Sequence, residues 1–397
     1  MCKFMPTGFT NRLGPKLSLI CLCLLAACDQ GNTEHSNSSA RDGAQTARAT
    51  QQVAATEKQV SYESELESLN AAIEAAIQLS AKQANDGLLP LELVSLYGER
   101  ARLTGNYDDY RQAESVLAAE EKRAGKSSQA GLPRANLHYT LHRLKLASAA
   151  LDGAPSTADK TEIAALRADI AFYSGHYGEA ESIYRALVNQ VGLSPQYIRL
   201  ALFKNKMGSP GEAAAFWEAA EKRYHGVSAT RKAWMKLQRG LIALDRGRFD
   251  EALAMYRLAA DALPGWWLID EHIAEIKRLS GDTGSAKTLY ESVIRKTGSP
   301  EYMDALAAIE FSEGNHESAR KLRQQARLIY EERLARFPEA AAGHALAHFL
   351  QDAGHPQRAL SLAQMNFNTR PYGDAAIALA RAWLLNGKPK RAISLLE

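Results

Sequence analysis

The sequence predicts an all-α protein built as a solenoid of stacked helix pairs, and three observations carry that prediction. At seven near-evenly spaced places a Gly is followed five residues later by an Ala: Gly175/Ala180, Gly208/Ala213, Gly247/Ala252, Gly281/Ala286, Gly314/Ala319, Gly354/Ala359 and Gly387/Ala392. These Gly residues step along the chain by 33, 39, 34, 33, 40 and 33 residues. A small residue also stands seven positions before each of them: Ala168, Ala201, Gly240, Ala274, Ala307, Ala347 and Ala380. Self-similarity at this period marks two-helix units that bury their faces against neighbours, not one closed core.

Taken from the start, residues 1–27 read as a targeting segment and not as fold. Lys3, Arg12 and Lys16 form a basic region before the apolar run Leu17–Ala27. That run is shorter than the roughly 20 residues a bilayer span needs. Residues 28–60 are polar, carry no aromatic side chain and read as a flexible tether. About 30 such residues reach about 30 Å on average. From 61 to 397 the chain reads as solenoid, most clearly over 161–397. Glu63–Ala84 is an amphipathic helix with Leu66, Leu69, Ile73, Ile77 and Leu79 or Ala81 on one side. Gly98, Gly105 and Tyr107 make a weaker first copy, with Tyr110 where Ala is expected. Leu132–Leu151 reads as one helix closed by the turn Asp152-Gly-Ala-Pro-Ser, which leaves an odd number of helices over 118–160 with no evident pairing.

The two long steps have different expected causes. Seven extra residues between Gly314 and Gly354 are about two helical turns, and His316–Arg336 contains neither Gly nor Pro, so the second helix lengthens and keeps its face. Between Gly208 and Gly247 the segment Gly226-Val-Ser-Ala reads as a wider loop followed by a helix N-cap.

The best copy is Ala233–Pro264, AWMKLQRGLIALDRGRFDEALAMYRLAADALP. With Ala233 as position 1, Gly240 is 8, Gly247 is 15, Phe249 is 17, Ala252 is 20, Tyr256 is 24, Ala259 is 27 and Pro264 is 32. Small residues at 8 and 20 let the two helices approach, and the aromatics fill the gap between units. Gly at 15 lets the backbone leave the first helix, and Pro at 32 stops the second. This pattern, repeated over roughly 88–397, resembles the tetratricopeptide repeat. The resemblance implies a right-handed superhelix whose first helices line a concave groove that holds a protein or peptide partner. Carried over residue by residue, groove positions fall on Phe172, Tyr173, Asn205, Lys206, Trp234, Leu241, Asp245, Glu271, Glu275, Arg278, Asp304, Phe311, His344, His348 and Asp352. The Lys/Asn set with which some relatives clamp a terminal carboxylate is absent apart from Asn205-Lys206.

Leu25-Ala26-Ala27-Cys28, after the basic and apolar regions, resembles the bacterial lipobox. It implies cleavage before Cys28, acylation of that residue and a lipid-anchored protein on the periplasmic side of a membrane. Asp29 leans weakly toward retention at the inner membrane. Cys2, Cys21, Cys23 and Cys28 are the only cysteines, so the mature domain has neither a free thiol nor a disulfide. Losing the three leader bases leaves 45 basic against 45 acidic side chains, and a neutral chain gives no electrostatic case for nucleic acid.

Catalytic patterns are poor. Gly281-Asp-Thr-Gly-Ser-Ala-Lys-Thr has the outline of a phosphate loop but has Ala286 where Gly must precede Lys, and it joins two helices. His344, His348 and Asp352, four apart, share a helix face and offer a metal-ligand set of low specificity; a polar groove stripe is the favoured reading. Glu271, His272 and Glu275 have no second His at metal spacing. Trp217 takes a core position, whereas Trp266-Trp267 at a repeat junction suggests exposed aromatics for binding. The expectation is therefore a membrane-anchored scaffold with no cofactor, no metal and no catalytic residues, able to self-associate through its uncapped C-terminal edge. The alternatives are a regulatory subunit that recruits an envelope hydrolase, or a metal-dependent enzyme using the His344 stripe.

Overall fold

The computed structural model describes residues 60–83, 86–125, 129–351 and 354–397. Cys28, the leader and the tether lie outside the described residues, as does Asp352. Among the described residues there are helices and no strands. α1 (Tyr62–Lys82) is followed by nine pairs, here repeats 1 to 9. They are α2/α3 (Leu88–Thr104, Asp108–Ala124), α4/α5 (Gly131–Thr140, Leu144–Asp152), α6/α7 (Lys160–Tyr173, Tyr177–Gln190), α8/α9 (Ser194–Lys206, Pro210–Arg223) and α10/α11 (Ala229–Asp245, Phe249–Ala262). Then come α12/α13 (Trp267–Leu279, Thr283–Thr297), α14/α15 (Pro300–Ser312, His316–Arg336), α16/α17 (Pro338–Gln351, Pro356–Thr369) and α18/α19 (Gly373–Leu385, Pro389–Leu396).

The turn inside each pair explains the Gly period. Gly175, Gly208, Gly247, Gly281, Gly314 and Gly387 have φ between 67° and 85°. The residue after each donates its N–H to a carbonyl five back, as His176 does to Ala171 at 2.8 Å and Asp282 to Lys277 at 2.9 Å. That left-handed exit satisfies carbonyls a helix end leaves open and suits a residue without Cβ. The Ala seven before and five after the Gly touch across the pair: Ala168, Ala180, Ala201, Ala213 and Ala252 are fully buried. Tyr184, Trp217, Tyr256 and Tyr290 fill the space between pairs.

Three sequence expectations change here. Leu132–Leu151 is not one helix but the pair α4/α5, broken at His142, which holds φ 61°. Arg143 N–H reaches His138 O at 2.8 Å and His142 N–H reaches Tyr139 O at 2.9 Å, the same exit with His in place of Gly. Ala135 and Ala147, seven before and five after, are both fully buried, so this is a ninth unit in register and no helix is left over. In α1 the buried side is Ile73 and Ala76, with Leu66 and Leu69 half-buried, while Ile77 and Leu79 are exposed; helical rotation past Ile73 carries them off the face that meets α2. Trp266 and Trp267 are buried, not displayed. Both indole N–H groups donate to Leu103 O, at 3.3 and 2.9 Å. The two long steps follow the sequence reading: α15 runs for 21 residues, and Ser228 caps α10 by accepting Arg231 N–H at 3.1 Å.

The Leu103 contact belongs to a seam. The exit ends of first helices in repeats 1–4 pack on the entry ends of first helices in repeats 6, 8 and 9. Tyr107 meets the Phe337 ring at 5.7 Å and Asp108 meets Arg336 at 3.3 Å. Arg143 pairs with Glu339 at 3.4 Å, and His142 Nε2 lies 3.1 Å from Arg370. Tyr173 meets Tyr372 edge-on at 5.0 Å, Tyr177 Oη accepts Gly373 N–H at 2.7 Å, and Lys206 pairs with Asp374 at 3.5 Å. The superhelix is thus wound tightly enough for one turn to rest on the next. Gly175 shows how close: a Cβ there would stand 2.9 Å from Pro371 O.

Candidate functional site

Packing across the seam and between adjacent repeats decides what the inner face offers. Phe172 and Tyr173 are buried against Tyr372 across the seam. Trp234 is buried on Trp217 and His348 on Asp304, each from the preceding repeat, and Leu241, Glu271 and Glu275 are buried as well. Asn205, Lys206, Asp245, Arg278, Asp304 and His344 are half-buried, and Phe311 is exposed. The accessible members fall mostly at the last turn of successive first helices, from α8 through α14, and form one line across repeats 4–7, continued by His344 in repeat 8.

Burial of charge on the inner side is met by pairing between repeats. Asp169 accepts the Tyr184 hydroxyl at 2.7 Å and the Arg199 Nε at 3.2 Å, and Arg199 also reaches Glu162 at 3.3 Å. Burial alone would lower the Arg199 pKa, but Asp169 and Glu162 more than offset it and hold the guanidinium charged. Burial, reinforced by Asp169, pushes the Tyr184 hydroxyl well up. A cavity of about 10 Å³ beside Asp169, Arg199, Tyr139 and Tyr173 has room for about one water.

The histidine stripe is spent on a neighbouring helix. His348 Nδ1 lies 2.8 Å from Asp304, and His344 Nδ1 lies 3.4 Å from Glu301, which also takes Arg333 at 3.2 Å. Burial raises the Asp304 carboxyl against the opposing pull of His348, and burial lowers the His344 imidazole despite Glu301. Both carboxylates come from α14, so these histidines tie repeat 8 to repeat 7. Among the described residues the trio able to converge on a metal is instead Glu271, His272 and Glu275, all buried on α12 with ligand atoms within 4.8 Å of one another. His272 Nδ1 is 2.9 Å from Glu271 and 4.0 Å from Glu275, and its ring stacks on Tyr256. Burial raises the Glu271 carboxyl.

Sequence reasoning missed the cross-repeat partners, Asp169–Arg199 and Asp304–His348, because repeat periodicity says which face a residue occupies and not which residue opposes it. It also missed the α4/α5 pair, for which Ala135 and Ala147 around His142 were an available signal.

No family profile matches the sequence, and a search of curated proteins finds no match. Among solved structures the chain is similar to the Cut9–Hcn1 hetero-tetramer of the APC/C, at 16% identity over 83% of this chain and 62% of that one, with a TM-score of 0.48. The chain therefore spans less than two thirds of that protein's length. It is similar to yeast Tom70 at 13% identity, over 83% and 81% of the two chains, with a TM-score of 0.43. It is also similar to a tetratricopeptide repeat protein from Parabacteroides merdae at 18% identity, over 59% and 92%, with a TM-score of 0.40. By its own helix pairs, Gly exits and Ala contacts, the chain is built as a right-handed solenoid of tetratricopeptide-type repeats.

Proposed function

We propose that this chain is a lipid-anchored scaffold on the periplasmic side of a bacterial membrane, holding a protein partner along its first helices. The observation that carries the partner site is the line of Asn205, Asp245, Arg278 and Phe311: last-turn positions on the first helices of consecutive repeats that stay half-buried or exposed while Phe172, Tyr173, Trp234, Leu241, Glu271, Glu275 and His348 are buried. A row of polar and aromatic side chains at a fixed repeat spacing suits one extended protein segment, read repeat by repeat. The anchor rests on the Leu-Ala-Ala-Cys28 box behind an apolar run. On this reading the chain has no catalytic role and no nucleic-acid partner, and the inner carboxylates and histidines serve repeat-to-repeat packing.

Two experiments test it. Membrane fractionation with mass spectrometry of the N-terminus should find Cys28 acylated and Cys28→Ala unanchored or unprocessed; an unacylated Cys28 in the mature protein refutes the anchor. Crosslinking in intact cells followed by purification should capture a partner whose binding weakens about tenfold or more in Arg278→Ala, the range of a hot-spot truncation. A captured partner that binds Arg278→Ala as tightly as the native chain refutes the site.

A further inference from the structure

The inner carboxylates Asp169 and Glu301 each hold an arginine, but those of α12 do not. Glu271, His272 and Glu275 are 3%, 4% and 5% exposed. Among the described residues neither glutamate pairs with a lysine or an arginine; the ion-pair contact of each is His272. The bases on the adjoining elements serve other acids: Lys277 takes Asp282, Lys296 takes Asp270 and Arg333 takes Glu301. Two carboxylates are thus withdrawn from water on one helix turn with one imidazole as their neighbour. Buried charge persists when it is paired or when it holds a metal. A second feature points to an ion. Glu271 Oε2 is buried and accepts no hydrogen bond, although His272 Nδ1 lies 2.9 Å away. An oxygen and a nitrogen that close but unaligned stand as adjacent ligands of a third atom. Glu275 lies 4.0 Å from the same Nδ1. Ligands about 2.1 Å from one ion stand about 3.4 Å apart in a tetrahedron, between the two separations seen here.

We propose that Glu271, His272 and Glu275 bind a divalent first-row cation of the zinc class. Mixed nitrogen and oxygen donors at low coordination suit such an ion. Calcium takes about six to eight oxygens and magnesium an octahedron of them, which three side chains in a buried site do not supply. The site needs no second histidine, because the two glutamates stand four apart on one helix face and His272 meets both. The ion neutralises the two carboxylates, and its role is structural. The His272 ring stacks on Tyr256 of α11 at 5.4 Å, so an ion that fixes the ring also fixes repeat 6 on repeat 5. The site uses no residue of the partner line and stands whether or not that line binds a protein.

Calorimetric titration of the metal-free full chain with Zn²⁺, in detergent, tests this. The native chain should take up one ion with a Kd of about 1 μM or tighter, and Mg²⁺ and Ca²⁺ should not compete for it. Zinc should also raise the urea unfolding midpoint. Glu271→Gln and Glu275→Gln keep the side-chain shape and drop the charge. Each should retain native helicity, bind zinc at least about a hundredfold more weakly and lose the zinc-induced shift in midpoint. X-ray absorption at the zinc edge of the loaded native chain, which needs no variant to fold, should show nitrogen and oxygen neighbours with one imidazole. A native chain that binds no zinc below about 100 μM overturns the inference. So does zinc binding that is unchanged in either variant, displacement by Mg²⁺, or a zinc shell containing sulfur or more than one imidazole.

Discussion

Gly240→Ala sets helix propensity against packing, and the structure decides which wins. Gly240 lies inside α10, where Ala is favoured over Gly by about 0.8–1.0 kcal/mol. Propensity alone therefore predicts a more stable protein. A Cβ at this position would stand 2.3 Å from Tyr256 Cε1, 2.6 Å from Cδ1 and 3.2 Å from Ala252 O. Ordinary carbon contacts begin near about 3.5 Å, so the ring must retreat by more than an ångström. It has nowhere to go, because Tyr256 is fully buried and stacks on His272 at 5.4 Å. Overpacking a close-packed core costs about 1–3 kcal/mol. Set against the propensity gain, the net loss is up to about 2 kcal/mol and no less than near zero. Gly284, in the first turn of α13 with open space around it, is the control, and Gly284→Ala should be neutral or stabilising. Urea unfolding followed by far-ultraviolet circular dichroism compares the midpoints. A clear upward shift in Gly240→Ala matching that of Gly284→Ala refutes the packing argument.

Ala252→Leu should lower the unfolding midpoint by about 1–3 kcal/mol, since Ala252 is fully buried between the helices of repeat 5; a native-like midpoint would show that the repeat frame is wrong. Asp169→Ala should cost up to about 3–5 kcal/mol, since it leaves the buried Arg199 with Glu162 alone and the buried Tyr184 hydroxyl without its acceptor, and a loss below about 1 kcal/mol in chemical denaturation contradicts this. Acid should destabilise the seam at its histidines. Burial and then Arg370 hold the His142 imidazole well below its ordinary value, and burial lowers His344. The unfolded chain takes up these protons below about pH 6.5 while the folded chain does not. Stability therefore falls as pH drops through that range, by up to about 1.4 kcal/mol per pH unit for each imidazole. Asp304 and Glu271, raised by burial, act in the opposite sense at lower pH. His142→Asn, which tolerates the left-handed turn, should flatten the slope of thermal stability between pH 7 and 5.5; an unchanged slope assigns it elsewhere.

What the sequence by itself determined was the local code. Gly at the exit, Ala at the helix crossing and an aromatic between units recur because each is required by contacts made within about 35 residues of chain. Those contacts are the same in every repeat, so periodicity reveals them. It revealed even the long α15 and the Ser228 cap, which are local accommodations of an insertion. The reading failed where a residue type changed but the geometry did not: His142 adopts the Gly turn at φ 61°, supported by Arg370 from 228 residues away. Only the tertiary structure decided how tightly the superhelix winds. Winding sums small rotations between many repeats, and no one residue pair encodes it. That winding buried Trp266, Trp267, Phe172 and Tyr173, while adjacent repeats buried Trp234 on Trp217 and turned the histidines toward Asp304 and Glu301. The groove positions were legible from the repeat frame; which of them face water depended on side-chain pairing between adjacent repeats and on contacts between repeats five to seven units apart, for which the sequence pattern carries no signal.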